Sequence, residues 1–139
     1  MKFKGRYVVV VGMFILALLL YIDRVCISVA KDAISGDLGL SDKAMGWVLS
    51  AFALGYALFQ VPSGMLADRL GPRAVLTAIV SIWSAFTAFT GMVWNYVSLL
   101  LVRFLFGAGE AGAFPSMSRV TYSWIPIRER GIVIGLNFS

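Results

Sequence analysis

Long apolar segments alternate with short polar stretches along this chain of 139 residues. A run of about 20 apolar residues is long enough to cross a lipid bilayer as a helix. Ser41 precedes one such run and is a residue type that commonly caps a helix N-terminus. The pattern predicts four membrane-spanning helices and the start of a fifth, over residues 7–30, 42–63, 74–93, 97–122 and 132–139.

The composition favours an all-α membrane protein. Hydrophobic residues make up 60% of the chain and charged residues 14%, and the mean hydropathy is +0.87. A soluble domain carries about 25% charged residues, so this charged fraction is low. The net charge of +5 does not predict a nucleic-acid partner, because the basic residues lie at the ends of apolar runs and form no single patch.

The basic residues also predict an orientation in the bilayer. Membrane proteins keep an excess of Lys and Arg on the cytoplasmic side. Lys31 and Lys43 lie in stretches assigned to the outer side, whereas eight basic residues lie in inner stretches and helix ends. These eight are Lys2, Lys4, Arg6, Arg69, Arg73, Arg119, Arg128 and Arg130. We therefore expect a multi-pass inner-membrane protein with a cytoplasmic N-terminus, and the first apolar run is too long for a cleavable signal peptide.

A charged turn, G-M-L-A-D-R-L-G-P-R, joins the second and third predicted helices at residues 64–73. Gly64 and Gly71 permit close approach and tight turning, and Pro72 suits the first turn of the helix that follows. Asp68 could accept hydrogen bonds from a free helix N-terminus. One interpretation of this stretch is a plain hydrophilic turn between two membrane helices.

The spacing G-x-L-A-D-R-x-G-x-R resembles the loop between helices two and three of the major facilitator superfamily of transporters. The matching residues are Gly64, Leu66, Ala67, Asp68, Arg69, Gly71 and Arg73. Ala74 departs from the pattern, which often has a second basic residue there. The resemblance implies that the chain is part of the N-terminal six-helix half of a twelve-helix transporter. It also implies a gating role for the loop, at Gly64, Asp68, Arg69, Gly71 and Arg73.

Four charged residues lie inside the predicted spans and away from their ends: Asp23, Arg24, Arg103 and Glu110. A charge at the middle of a bilayer costs about 3 kcal/mol or more, so such residues are paired, face water or have a function. Asp23 and Arg103 lie at depths that would allow a structural ion pair if the first and fourth helices are neighbours. For Arg24 and Glu110 we expect a functional role.

Helical spacing groups these residues by face. Arg103, Gly107, Glu110 and Phe114 share one face of the fourth helix, and Ala17, Tyr21, Arg24 and Ser28 share one face of the first. Asp23 points about a quarter-turn away from the latter face. Glycines at 107, 109 and 112 leave room beside Glu110, which either opens a cavity or allows a closely packed neighbour.

A cavity lined by Tyr21 and Arg24 suits an anion, because a guanidinium matches a carboxylate in a paired, planar arrangement. Desolvation favours the neutral form of a buried carboxyl group, so Glu110 could take up and release a proton. Tyr56 and Gln60 share a face of the second helix and could add hydrogen bonds to a substrate, although packing is an alternative role for Tyr56. Together these residues predict proton-coupled uptake of an organic anion.

A second resemblance concerns Tyr21-Ile22-Asp23-Arg24, residues 103–111 (R-F-L-F-G-A-G-E-A) and Phe114-Pro115. They look like the anion:cation symporter branch of the superfamily, which includes bacterial hexonate and hexuronate permeases, sialin and the vesicular glutamate transporters. The resemblance implies that Arg24 contacts the substrate carboxylate and that Asp23 and Glu110 are the proton-linked pair. It implies a sugar acid such as galactonate, glucarate or a hexuronate as substrate.

Several alternatives remain open at this point. The substrate could be another carboxylate such as an aromatic acid, the coupling could be anion exchange or sodium symport, or the chain could be a non-transporting structural membrane protein. An enzyme is not expected, because the chain has no His, one Cys and no G-x-S-x-G pattern. No metal or cofactor is expected either. Four helices and part of a fifth suggest an N-terminal fragment that does not transport without the C-terminal half.

Overall fold

A computed structural model describes the backbone of residues 2–138 and the side chains of residues 5–137. The described part of the chain is helical and contains no strand. Its helices are α1 (Lys2–Leu38), α2 (Asp42–Leu70), α3 (Pro72–Thr90), α4 (Tyr96–Glu110), α5 (Ala113–Trp124) and α6 (Ile127–Phe138). Within these residues, four segments are long and apolar enough to cross a membrane, the fourth combining α4 and α5.

α1 continues past residue 30, where the sequence predicted its end, and reaches Leu38. The extra turns form because Ile34 and Leu38 pack against a buried apolar cluster, while Asp32 and Asp37 stay exposed. The buried members of this cluster are Met45, Val48 and Leu99. α1 ends at Gly39, whose φ of +63° a glycine adopts without strain.

The predicted turn at residues 64–73 is mostly helical, because α2 runs through to Leu70. Gly71 alone reverses the chain, with a φ of +86°, and its N–H donates to the Ala67 carbonyl at 3.1 Å. Pro72 then starts α3, as its fixed φ favours. The prediction that Ser41 caps α2 is confirmed, because its hydroxyl accepts from the Ala44 N–H at 3.2 Å.

The fourth predicted helix is divided into α4 and α5 at residues 111–112. Pro115 explains the interruption, because it has no N–H to donate to the carbonyl of Ala111 and its ring disfavours a continuous helix. The next helix also begins earlier than predicted, at Ile127 instead of residue 132, directly after Pro126. A proline suits the position before or at the first turn of a helix.

The chain divides into two compact units, of which one comprises residues 31–116. In this unit α2 and α4 pack closely, and the crossing is lined by glycine on both helices. A Cβ added to Gly55 would collide with the carbonyl oxygen of Phe104, and a Cβ added to Gly107 would collide with that of Phe52. The two backbones therefore touch directly, which is a common arrangement of small residues in membrane helices.

The other unit comprises residues 1–30 together with residues 117–139. On α1 its buried apolar residues recur at spacings of four, three and seven, the period of one helix face. They are Met13, Ala17, Leu20 and Ile27. The Thr121 hydroxyl, on α5, donates to the Met117 carbonyl at 3.0 Å and lies 3.9 Å from the Met13 sulfur.

Candidate functional site

Two of the charged residues predicted inside the membrane, Arg103 and Glu110, lie on α4 and are buried. Arg103 is 6% exposed and Glu110 is fully buried. With Leu99 and Phe106 they form the buried face of α4, as their spacing of four, three and four residues requires. The Arg103 guanidinium carbon lies 4.9 Å from the centre of the Phe106 ring, within the range of a cation–π contact. Glu110 is the last residue of α4 and directly precedes the interruption.

The three glycines around Glu110 support the packing interpretation. Gly107 meets the backbone of α2, as described above. A Cβ on Gly109 would lie 2.7 Å from Ile82 Cγ2, and a Cβ on Gly112 would lie 2.8 Å from Ser63 Cβ. A cavity of about 180 Å³ borders on Gly109, but its lining is apolar and contains neither Arg103 nor Glu110. The glycines therefore serve close helix contact.

Tyr56 and Gln60 lie one turn apart on α2, in the same unit as Glu110. Tyr56 is half-buried and its ring is stacked near that of Phe52, with 6.1 Å between the ring centres. Its backbone nitrogen would lie 3.0 Å from a Cβ on Gly107, so Tyr56 is part of the α2–α4 crossing. Gln60 is exposed. Packing thus accounts for the Tyr56 ring, and hydrogen bonding of both residues to a substrate remains a prediction.

Tyr21, Asp23 and Arg24 lie on α1 in the other unit. The Arg24 guanidinium carbon is 5.9 Å from the centre of the Tyr21 ring, so these two side chains are neighbours. Asp23 and Arg24 are half-buried, whereas Tyr21 is 41% exposed. An open groove of about 430 Å³ runs along the surface of α1 from Tyr21 to Ala30, and its lining is mostly apolar. Arg24 is not part of its lining, so the sequence-predicted cavity with both residues in its wall is not this one.

The predicted residues are thus divided between the two compact units. Arg103 and Glu110 belong to residues 31–116, and Asp23 and Arg24 belong to the unit that contains residues 1–30. The Asp23–Arg103 ion pair and the proton-linked pair of Asp23 and Glu110 therefore stay predictions.

The motif at residues 64–73 covers the end of α2, the chain reversal at Gly71 and the start of α3. Asp68 and Arg69 are exposed on the last turn of α2, and Arg73 is exposed on the first turn of α3. Gly64 faces α5, because a Cβ there would lie 3.4 Å from Pro115 Cβ. The motif therefore combines one packed glycine with charges at the helix ends, and its gating role remains a prediction.

One polar cluster was missed by sequence reasoning. The Arg6 guanidinium forms an ion pair with Glu129 at 3.2 Å, and Arg130 donates to the carbonyls of Ile125 and Tyr122 at 2.9 and 2.8 Å. From the sequence, Arg6 and Arg130 were counted among the basic residues that orient the chain, Glu129 and Arg130 fitted the resemblance to the anion:cation symporter branch, and no contact was predicted for any of the three. The start of a helix directly after Pro126 was the available signal, because it places Glu129 and Arg130 in a first helical turn. Within the described residues, no group of three potential metal ligands occurs.

Comparison with known proteins extends this picture. The family profile of the Major Facilitator Superfamily matches residues 13–139. The chain is 39% identical over 138 residues to the probable sulfoacetate transporter SauU of Cupriavidus necator, a match that covers 99% of this chain and 32% of the relative. It is 39% identical over 139 residues to the probable galactarate/D-glucarate transporter GudP of Escherichia coli K12, covering 96% of this chain and 31% of the relative.

A third relative is the D-galactonate transporter of Escherichia coli O6:H1, at 38% identity over 136 residues, covering 98% of this chain and 32% of the relative. The chain spans about a third of the length of the curated relatives it matches. Among solved structures, a bacterial homologue of the human lysosomal transporter Spinster, inward-facing and occupied, matches with a TM-score of 0.86 and 33% identity. That match covers 95% of this chain and 29% of the solved chain.

Proposed function

Because this chain belongs to the Major Facilitator Superfamily, we propose that it is part of a membrane carrier for an organic anion. Its relatives are transporters and not enzymes, which confirms the expectation that the chain has no enzymatic role. Three relatives are named for sulfoacetate, galactarate or D-glucarate, and D-galactonate. All of these are carboxylates, so the proposed substrate is a carboxylate, and a sugar acid such as galactonate, glucarate or a hexuronate is the first choice.

The observation that carries this proposal is the burial of two ionisable side chains in one membrane-spanning segment. Arg103 is 6% exposed and Glu110 is fully buried, in a segment otherwise apolar enough to cross a bilayer. An apolar replacement at each position would avoid a cost of about 3 kcal/mol per charge. The presence of Glu110 in this segment supports a function that requires an ionisable group in the membrane, which a purely structural membrane protein would not need.

In the proposed mechanism Arg24 binds the substrate carboxylate. A guanidinium presents two parallel N–H donors to a carboxylate, and the neighbouring Tyr21 ring limits the directions that this group can take. Tyr56 and Gln60 offer a hydroxyl and an amide to the hydroxyl groups of a sugar acid. The apolar surroundings strengthen each of these interactions, because the local dielectric constant is low.

The proposed coupling is proton symport. Glu110 takes up a proton with the substrate and releases it on the other side, and Asp23 acts with it. A carboxyl group in an apolar interior changes its charge readily when a cation approaches or leaves, because neither solvent nor salt screens it. Arg103, two turns before Glu110 on the same face of α4, is a fixed cation of the same span, and the approaching or leaving charge is that of the substrate complex.

The setting of the carrier also belongs to this proposal. The excess of basic residues at the helix ends supports a cytoplasmic N-terminus in an inner membrane. The Gly64–Arg73 motif contributes to gating. Transport requires a second half against which this part of the carrier can rock, so the 139 residues do not transport alone. Substrate-dependent uptake into vesicles that contain only these 139 residues would contradict that last point.

The substrate role is tested with the gene product that contains these residues, reconstituted into vesicles. Uptake of labelled galactonate, glucarate, galacturonate and sulfoacetate is compared between the parent protein and Arg24→Lys. Lysine keeps the charge but loses the paired donors, so we expect uptake of the accepted acid to fall about tenfold or more. Arg128→Lys, at an exposed position, is the matched control and should keep full uptake. Unchanged affinity in Arg24→Ala would remove Arg24 from the binding site.

The coupling is tested with Glu110→Gln in the same vesicles. We expect a pH gradient to drive no accumulation in this variant, whereas exchange of labelled for unlabelled substrate persists, because an amide neither takes up nor releases a proton near neutral pH. Asp37→Asn, an exposed position on α1, is the control and should accumulate substrate normally. Accumulation by Glu110→Gln that still follows the pH gradient would contradict the proton role and favour sodium symport, which a sodium gradient at constant pH then reveals.

A further inference from the structure

Arg130 ties the first turn of α6 to the end of α5. Its Nε donates to the carbonyl of Ile125 at 2.9 Å and its Nη2 donates to the carbonyl of Tyr122 at 2.8 Å. The guanidinium carbon also lies 4.9 Å from the centre of the Tyr122 ring. The last carbonyls of a helix have no partner within the helix, and a cation there is favoured by the helix dipole. Arg130 therefore acts as a cap that α6 provides for α5.

Arg6 ties α1 to the same turn of α6. Its Nη2 lies 3.2 Å from Glu129 Oε2, and its side chain is only 16% exposed. Glu129 lies in the first turn of α6, where a carboxylate is also favoured by the helix dipole. Two consecutive residues, Glu129 and Arg130, thus hold two different helices. We call the group Arg6, Tyr122, Ile125, Glu129 and Arg130 the inner clamp.

The neighbouring charge shows that this arrangement is specific. Arg128 precedes the pair in the chain and carries the same charge as Arg130, yet it is exposed and makes no ion pair or side-chain hydrogen bond to any described residue. If Arg128, Glu129 and Arg130 served only to orient the chain in the bilayer, Glu129 and Arg130 would not need to contact two different helices. The inner clamp therefore has a role beyond the positive-inside signal.

The position of Arg24 depends mechanically on Arg6, because both lie on α1. This helix runs from Lys2 to Leu38 without proline and without an interruption. Arg24 follows Arg6 by 18 residues of the helix, or about 27 Å at about 1.5 Å per residue. A continuous helix hardly changes its length, so a fixed inner end determines how deep Arg24 lies in the membrane.

We propose that the inner clamp is a set of positioning residues for the anion site: by holding α1 to α5 and α6, it fixes the depth of Arg24. The inference rests on the proposed function for the role of Arg24, but the depth itself can be measured without any transport. Arg6, Glu129 and Arg130 act through α1 and do not touch the substrate.

The depth is measured at Cys26, the only cysteine among these 139 residues, which is exposed and lies two residues after Arg24; any cysteine of the gene product outside these residues is replaced by serine. A nitroxide label on Cys26 in vesicles reports its depth from the ratio of its collisions with oxygen and with a water-soluble nickel complex. We expect Arg6→Glu and Glu129→Arg each to shift or broaden this depth, and the combined exchange to restore the parent value, because the ion pair is rebuilt with reversed polarity. Arg128→Glu is the matched control and should leave the depth unchanged.

Uptake of the accepted acid gives the functional readout. Misplacement of a binding group by about 1 Å can cost up to about 100-fold, so we expect the KM of each single reversal to rise about tenfold and the exchanged pair to return close to the parent value. Uptake by Arg130→Lys should stay below that of the parent protein, because one ammonium group cannot reproduce the geometry with which the guanidinium donates to two carbonyls.

The outcomes separate the two proposals. An unchanged label depth in Arg6→Glu and in Arg130→Gln would overturn the positioning role, whatever the uptake. The positioning role would also be overturned if the label were as far displaced in the double variant Arg6→Glu/Glu129→Arg as in the single variants. That result would show that the Arg6–Glu129 contact does not fix α1. If the label depth changes in the clamp variants as expected but the parent protein takes up no carboxylate, the result supports the inner clamp and contradicts the proposed function.

Discussion

Replacement of Gly107 by alanine tests the contact on which the buried face of α4 depends. Gly107 lies three residues before Glu110, at the crossing of α4 with α2. A Cβ at this position would collide with the carbonyl oxygen of Phe52 and lie 3.0 Å from the backbone nitrogen of Tyr56. Both obstacles are backbone atoms, so no side-chain rotation can relieve them and the two helices must separate.

The loss of stability in Gly107→Ala follows from the contacts that are broken when α2 and α4 separate. Phe52 and Phe106 pack across the crossing with 5.7 Å between ring centres, and Phe59 and Phe104 with 6.3 Å. Overpacking of a well-packed interior costs about 1–3 kcal/mol, and backbone neighbours place this substitution at the upper end. A loss of about 3 kcal/mol corresponds to about a 100-fold smaller ratio of folded to unfolded protein.

Three other glycines provide a graded control series. Gly55→Ala, the reciprocal contact on α2, should be as severe as Gly107→Ala, because its Cβ would collide with the Phe104 carbonyl oxygen. Gly109→Ala should cost about 1 kcal/mol, because the nearest atom belongs to the side chain of Ile82, which can change rotamer. Gly46→Ala has no neighbour within 4 Å and should stabilise α2 by up to about 1 kcal/mol.

The assay is the temperature at which half of the detergent-solubilised, fluorescently tagged protein loses its monodisperse elution peak. Because unfolding of a membrane protein is often irreversible, the rank order of the variants is the quantity to compare. We expect Gly46 variants to be the most stable, followed by those of Gly109 and then of Gly55 and Gly107. Equal stability of Gly107→Ala and Gly46→Ala would refute direct backbone contact between α2 and α4.

Two further predictions concern the helix ends. Gly71→Ala should destabilise the protein by about 1–3 kcal/mol in the same assay, because φ +86° with ψ 148° is a conformation nearly restricted to glycine, whereas Gly91→Ala, at φ −73°, should have little effect. Asn95→Ala should cost about 1 kcal/mol, because Asn95 accepts from the Ser98 N–H at 2.7 Å and closes a capping box; if Asn95→Ala and Asn95→Asp melt at the same temperature, the cap contributes nothing.

Sequence reasoning located the helices better than their ends. Long apolar runs give a strong signal for membrane spans because the bilayer core sets a minimum length. The signal for the helix ends is weaker, because a helix can continue beyond the bilayer with apolar residues on one face and polar residues on the other. α1 shows this at Ile34 and Leu38, whose apolar side chains pack inward while Asp32 and Asp37 face outward. The polar residues alone suggested a loop.

The intramembrane charges could be found from the sequence because their cost in hydrocarbon makes them conspicuous. The interruption after Glu110 had a sequence signal in Pro115, but a single proline does not reveal whether a helix bends or breaks. The inner clamp had almost none, because Arg130 binds backbone carbonyls. Such acceptors are present at every residue and leave no trace in the pattern of side chains.

The packing around Glu110 connects two features that the sequence presents separately. Gly107 on α4 lies against the backbone of α2, and Gly112, between α4 and α5, lies against side chains of α2 and α3, so the backbone that carries this carboxyl group is packed on both sides. Gly64, the first residue of the α2 motif, in turn lies against Pro115. In the proposed carrier, any movement of this backbone that follows a change in the charge of Glu110 would therefore displace α2 as well. This gives a physical reason why an acid in the middle of one membrane span and a motif at the end of another belong to one mechanism in the proposed carrier.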